Sequence, residues 1–264
     1  MKILIDHDKC ICKKVDLCSK VCPFGFILSR NEKNEMGLLD EYQRFCINCG
    51  QCASICPGHA ITITKNTRKP EKINKKTAIS PAQAEQFLKT RRSCRTFQNK
   101  TIDHNTIETI LSITRWTPTA SNQQKLKWIN VESLEKIHEL SRLTVDWIKK
   151  NNISKEIVEN WDKGVDLILR DAPNLIIVLG KQDNYWASAE AGIALTYLEL
   201  FAHANKLGTC WAGFFTRAVN HYAPLEDFLE LPEGYKVFGS IMMGYPAYKF
   251  HSIPVRKEIS IVHK

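Results

Sequence analysis

Eight of the ten cysteines in this 264-residue chain fall between Cys10 and Cys56, and only Cys94 and Cys210 lie beyond them. That crowding constrains the chain more than any other feature. An even set of cysteines in a short segment can be a disulfide scaffold, but such scaffolds belong to exported chains. Here the N-terminus reads MKILIDHDKC, and its acids arrive before an apolar h-region can form, so no secretory signal is expected. In a reducing cytosol, clustered thiolates are expected to be metal ligands. The chain therefore reads as two parts, a cysteine-rich front and a larger body.

Composition narrows the class. The chain is 44% hydrophobic and 25% charged, with 12 Gly and 10 Pro, values near the globular average that exclude a disordered or collagenous protein. Its most apolar stretch, 186–204, is interrupted by Glu190, Glu199 and His203. A spanning helix needs roughly 20 apolar residues, so no membrane partner is expected and a cytoplasmic location is the default. Net charge is +9, and residues 1–80 hold 14 bases and 8 acids against 23 and 20 in 81–264. Much of the first excess sits in 65–76, KNTRKPEKINKK, which reads as a solvated linker. A nucleic-acid arm is also basic, but it comes with a recognisable binding module, and none is found; no nucleic-acid partner is expected. An acidic electron-transfer protein docking on this basic side fits the charge.

Residues 46–57 read CINCGQCASICP, placing Cys46, Cys49, Cys52 and Cys56 at C-x-x-C-x-x-C-x-x-x-C-P spacing. Three thiolates two residues apart can wrap three corners of one cubane cluster, while the fourth ligates the other cluster of a two-cluster protein. Zinc sites instead come as two C-x-x-C pairs separated by a dozen or more residues. The earlier half, CICKKVDLCSKVCP, is less regular. Counting back from Cys22, a regular run would have cysteines at 18, 15 and 12, but position 15 is Val and Cys10 stands upstream. With two CP endings, each followed by an apolar strand (FGFIL and GHAITI), residues 1–64 resemble a bacterial two-cluster ferredoxin. The resemblance implies two 4Fe-4S clusters. Cys10, Cys12, Cys18 and Cys56 would hold one, and Cys22, Cys46, Cys49 and Cys52 the other. A three-iron cluster held by fewer thiolates in the first loop remains the rival.

After the linker (65–79), Ser80-Pro81-Ala82-Gln83 reads as a helix start, with Ser as N-cap and Gln three residues on. Asp103 reads as a second N-cap. The segment RRSCRTF (91–97) is either a bland exposed turn or an anion site, because guanidinium forks and a hydroxyl suit a phosphate. It is followed by PTASNQQ (118–124), an apolar helical stretch over 184–208 that a two-sided core would cover, the corner GTCWAG, and a terminal GYP…RK. In that order these elements resemble the nitroreductase family across 80–264, and the whole chain resembles ferredoxin-fused nitroreductases.

That resemblance implies FMN. Arg91, Arg95 and Arg256 would face its phosphate with Ser93 hydrogen-bonding, and Arg92 matches a position that contacts FMN in part of the family. Lys257 completes the terminal RK, and Thr119, Asn122 and Gln124 belong to the loop that meets the flavin. Ala212 and Gly213 would present backbone amides near the flavin's N5. The family's PW after the Gln is Lys125-Leu126 here, which leaves that wall of the pocket open. Cys94 and Cys210 read as packed fillers. His138 reads as exposed, and Phe214 and Phe215 as either substrate stackers or core. No G-x-G-x-x-G is present, so a nicotinamide cofactor would enter the flavin pocket itself.

The fold expected is α+β: a two-cluster ferredoxin-like domain (1–64), a basic linker (65–79), and a flavin domain (80–264) with a mainly antiparallel sheet flanked by helices. The family implies an intertwined homodimer with FMN at the subunit interface. The expected activity is an FMN- and iron–sulfur-dependent reductase acting on a conjugated small-molecule acceptor such as a nitroaromatic, quinone or enone. NAD(P)H or a ferredoxin-type protein would be the donor. Reductive dehalogenation, flavin oxidation, or a non-catalytic electron-transfer or redox-sensing module are the alternatives.

Overall fold

The computed structural model describes residues 3–12, 15–64 and 70–264. The linker residues 65–69 and Lys13-Lys14 lie outside them. Packing separates the chain into two compact units, 1–78 with 120–123, and 79–119 with 124–264.

The first unit is built from short elements. Strand β1 (Ile3–Ile5) pairs antiparallel with β4 (Ile61–Ile63), and β2 (Leu28–Arg30) pairs antiparallel with β3 (Met36–Leu38). Two single-turn helices, α1 (Leu17–Lys20) and α2 (Gln51–Ile55), carry Cys18 and Cys52. The strand expected directly after the first CP starts later, because Gly25–Ile27 first makes a 3-10 turn. Ile3, Leu28, Met36, Ile61 and Ile63 form a small core beside the cysteines. At Gly58, just past Cys56-Pro57, an added Cβ would collide with the Lys9 carbonyl. Only glycine allows the two cysteine segments to approach so closely.

The second unit has a four-stranded antiparallel sheet in the order β5-β6-β8-β7, from β5 (Lys127–Val131), β6 (Asn174–Lys181), β7 (Gly208–Trp211) and β8 (Tyr235–Gly244). Strand β6 is buried from Asn174 to Gly180 and apolar from Leu175 on, since helices cover both faces. Leu175, Ile177 and Leu179 enter one core with α5 (Leu134–Lys150), α6 (Lys155–Asp162) and α8 (Gly213–Val219). Their alternate neighbours Ile176 and Val178 enter the other, with α4 (His104–Ser112) and α7 (Ala187–Ala204). A two-residue period thus serves two helical layers. The α+β reading holds for this unit.

Helix starts follow local chemistry. Ser80 and Gln83 make a reciprocal capping box on α3 (Pro81–Thr90), and the Asp103 carboxylate caps α4 through Thr106 N at 3.0 Å. A short α9 (Ala223–Phe228) precedes β8. Helix α7 departs from the expectation of a core on both sides. It buries Ala187, Ala191, Ala194, Leu195 and Leu198, while Ile193 and Tyr197 stay 38% and 41% exposed on the opposite face. The end of the chain, 247–264, carries no helix or strand and is exposed, with Phe250, Ile253, Val255 and Ile259 uncovered. Among the described residues, no helix is long and apolar enough to cross a membrane.

Candidate functional site

The cysteines of the first unit sort into two groups. Cys10, Cys12, Cys18 and Cys56 line one small cavity, walled otherwise by apolar residues including Ile5, Leu17 and Met36. Cys22, Cys46, Cys49 and Cys52 line a second, with Phe24, Ile27 and Ile47. Burial pushes the thiols of Cys18 and Cys22 above their ordinary value, and that of Cys52 to about 11. The other cysteines of each group add to the rise. Four such thiols can be thiolates together only around a strong positive charge. Among the described residues, no three His, Cys, Asp or Glu side chains converge as one metal ion would require. Four sulfurs spread around an apolar cavity fit the corners of an iron–sulfur cubane better than a lone zinc.

In the second unit, 91–97 runs extended beside β7. Ser93 bridges Thr209 in parallel, and Cys94 N donates to the Thr209 carbonyl at 2.8 Å. Cys94 is buried, with its side chain over Gly208, where an added Cβ would lie 2.7 Å from Cys94 Sγ. A side chain at 208 would push the segment off the strand. Cys94 and Cys210 are both buried, as expected of fillers.

Cations gather at this edge. Burial, and then the charges of Arg256 and Arg91, hold the Arg92 guanidinium below its ordinary range. Arg256 is thereby brought back, across 164 residues of chain, to the segment that opens the unit. Arg95 is exposed, and its charge reaches the Cys210 thiol. Lys257 follows Arg256 in the exposed tail. One acid answers this group. Glu199, buried on α7, accepts from Thr209 Oγ1 at 2.9 Å and Trp211 Nε1 at 3.1 Å, and lies 3.5 Å from Arg91 Nη1.

Thr119 and Gln124 line an open groove of about 280 Å³ with Arg115, Thr117, Leu126 and Trp128. The Gln124 N–H donates to Thr119 Oγ1 at 3.1 Å. The loop is tight: Ser121, Asn122 and Gln124 all have left-handed φ, near 50°. Asn122 groups with the first unit, where its Nδ2 donates to the Ile47 and Asn48 carbonyls at 3.2 and 3.0 Å. At the GTCWAG corner, Ala212 N donates to the Ser240 carbonyl at 2.9 Å. Gly213, first residue of α8, is one of the positions whose amide has no partner within the helix, as are Phe214 and Phe215. A Cβ on Gly213 would meet nothing within 4 Å, so space is open there. Phe215 is core and Phe214 is 42% exposed. His138 is exposed and stacks on Trp161 with centroids 5.0 Å apart.

Sequence reasoning missed Arg115, Trp128 and Glu199. Arg115 directly precedes the Trp-Thr-Pro-Thr loop, which was a usable signal. Glu199 offered only an acid on an apolar helix.

The nitroreductase family model matches residues 88–245, three-fifths of the chain. The chain belongs to the nitroreductase family. A 4Fe-4S binding domain matches residues 43–62 of this nitroreductase-family chain, around the regular cysteine run. A protein of Methanothermobacter thermautotrophicus described as an NADH dehydrogenase/NAD(P)H nitroreductase is 28% identical over 184 residues, 64% of this chain and 80% of that protein. An uncharacterized ferredoxin of Methanocaldococcus jannaschii is 38% identical over 80 residues, 29% of this chain and 97% of the ferredoxin. An FMN-bound nitroreductase of Bacteroides fragilis shares the fold at a TM-score of 0.60 and 22% identity, covering 69% of this chain and 99% of that one. This nitroreductase-family protein is a flavin oxidoreductase with an iron–sulfur domain joined to it.

Proposed function

We propose that the chain is an FMN-dependent reductase of a conjugated organic acceptor, supplied with electrons through two 4Fe-4S clusters. The observation that carries the reading is the gathering of Arg91, Arg92 and Arg256 beside Ser93 in the nitroreductase-type unit. Guanidinium groups near one another suit an anion, Glu199 answers Arg91 alone, and a phosphate offers nearly two negative charges. Arg95 adds a guanidinium from the same segment, and Lys257 extends the cationic tail. Thr119 and Gln124 suit the polar edge of a flavin, and Gly213 leaves room for a planar ring to approach its amide. Asn122 belongs to the same motif, with its amide donated to the carbonyls of Ile47 and Asn48.

FMN, when bound, supplies both single-electron and hydride chemistry, which joins one-electron clusters to two-electron acceptors. The protein's part is to fix the phosphate, orient the ring and exclude water. The eight cysteines would hold the clusters in the two groups described. The linker, 15 residues in the reading 65–79, can reach up to about 50 Å. Fusing a cluster domain to a flavin domain is useful when the two exchange electrons. The exposed face of α7 and the apolar tail fit burial against a second copy of the chain, as a homodimer with sites at the subunit interface would require.

Electron flow tests this reading. In anaerobic stopped-flow spectra, Cys49→Ser should damage the second cluster, retain FMN, and slow flavin reduction by a ferredoxin-type donor. Reduction by NAD(P)H, where the pocket accepts it, should suffer much less. A variant that loses its cluster and still takes electrons from reduced ferredoxin at the parent rate overturns the relay. Turnover assays with nitroaromatics, quinones, enones and halogenated aromatics separate the acceptor classes. A flavin that reduces rapidly yet turns over none of them would favour an electron-transfer module.

A further inference from the structure

The stretch 10–22 departs from regular spacing, with Val15 at the place of a cysteine and Cys10 and Cys12 separated by one residue. The first and third cysteines, Cys10 and Cys18, thus stand two residues further apart than regular spacing would put them, and among the described residues Arg30 ties this longer loop down. Arg30, the last residue of β2, reaches across the loop. Its Nε donates to Asp16 Oδ1 at 2.7 Å, its Nη1 to the Asn34 carbonyl at 2.6 Å, and its Nη2 to the carbonyl of Cys12. The planar fork of arginine suits three acceptors in different directions, which a lysine ammonium would not serve alike. The Arg30 side chain is only 16% exposed, so water screens its charge poorly, while Asp16 is 41% exposed.

A fixed cation therefore touches the backbone of one cysteine, Cys12, and its counter-ion lies two residues before another, Cys18. Among the described residues neither cysteine cavity has a charged side chain in its wall, so Arg30 would act from behind the Cys12 backbone. The potential of an iron–sulfur cluster follows net charge, hydrogen bonding and exposure. A nearby cation favours the added electron, and a nearby carboxylate opposes it.

We propose that Arg30 is a positioning residue for the cluster held by Cys10, Cys12, Cys18 and Cys56: it ties the Cys12 backbone to Asp16 and raises that cluster's reduction potential, with Asp16 partly offsetting it. The inference rests on the two-cluster reading.

The test uses the full chain, purified anaerobically and titrated electrochemically with EPR detection of both clusters. Arg30→Gln should move one cluster's potential negative. Asp16→Asn, which leaves Arg30 in place, should move the same cluster positive. The other cluster's potential should stay at the parent value in both variants. Arg30→Lys, which keeps the charge and loses the fork, should fall between parent and Arg30→Gln. Opposite signs from the two partners are a result that simple loosening of the loop would not produce. Unchanged potentials in both variants, or equal shifts of both clusters, overturn the proposal. Where Arg30→Gln sheds the cluster, Asp16→Asn decides, and the absence of a positive shift there overturns the proposal. Iron analysis of the parent chain comes first. About four iron per chain, instead of about eight, would overturn the two-cluster reading itself and this inference with it.

Discussion

The Arg91 guanidinium lies 3.5 Å from the Glu199 carboxylate, which is tied more closely to Thr209 and Trp211 on β7. One buried acid on α7 thereby joins the segment 91–97 to the edge of the sheet. Its two neutral donors satisfy the carboxylate, and the arginine donates to it at the limit of hydrogen-bond distance. Removing it would strand Thr209, which is buried, and free Trp211.

Glu199→Ala is therefore expected to destabilise the flavin unit by roughly 1–3 kcal/mol, the cost of leaving a buried donor unsatisfied. Glu199→Gln, which can still accept from the Thr209 hydroxyl, should cost less. Denaturant unfolding followed by tryptophan fluorescence reads both. An Ala variant with the parent midpoint would mean that this junction contributes nothing.

Arg95→Glu should weaken FMN binding at least about tenfold, since it removes a charge-assisted partner and adds a like charge. Riboflavin, which lacks the phosphate, should bind parent and variant alike. Titrating apo-protein with each flavin separates phosphate recognition from ring recognition. Full retention of FMN by the variant would remove Arg95 from the phosphate site.

Anaerobically prepared protein should carry about eight iron and eight acid-labile sulfide per chain. A value near seven would indicate a three-iron cluster in the irregular first loop, and near four an empty one. Cys18→Ser and Cys49→Ser should each remove iron from one group only, because the cysteines line separate cavities.

His203 gives a pH dependence with a definite sign. Burial first, and then the Arg91 charge, hold its imidazole below the ordinary value of 6.5. The folded state thus binds this proton less readily than the unfolded chain does. Its contribution to stability is present in full above the ordinary histidine value. It is lost as pH falls from there through the lower folded-state value. NMR titration should find the His203 midpoint below 6.5, and His203→Gln should flatten the acid side of the stability curve. A His203 that titrates at or above 6.5 contradicts the assignment.

Much of this protein was legible in order along the chain. Helix starts at Ser80 and Asp103 were readable because a cap involves residues only three apart, and their hydrogen bonds form wherever the backbone turns. The cysteine run 46–57 was readable for the same reason, as its spacing is its geometry. Even the split of the eight cysteines into two groups of four matches the two cavities. Helix α7 was readable as an element but not in its packing. Its apolar composition suggested cover on both sides, whereas the chain covers one and leaves Ile193 and Tyr197 outside.

What the sequence determined by itself was therefore local: the metal-ligating spacing, the caps, the apolar strands and the family motifs. Tertiary structure alone decided the strand order β5-β6-β8-β7, the return of Arg256 to Arg92, the placing of Glu199 against Arg91 and Thr209, and the reach of Arg30 across the loop to Cys12 and Asp16. None of these has a signature in a short window. Each depends on which distant segments gain enough by packing together to offset the entropy of closing the chain between them, and that balance belongs to the whole molecule.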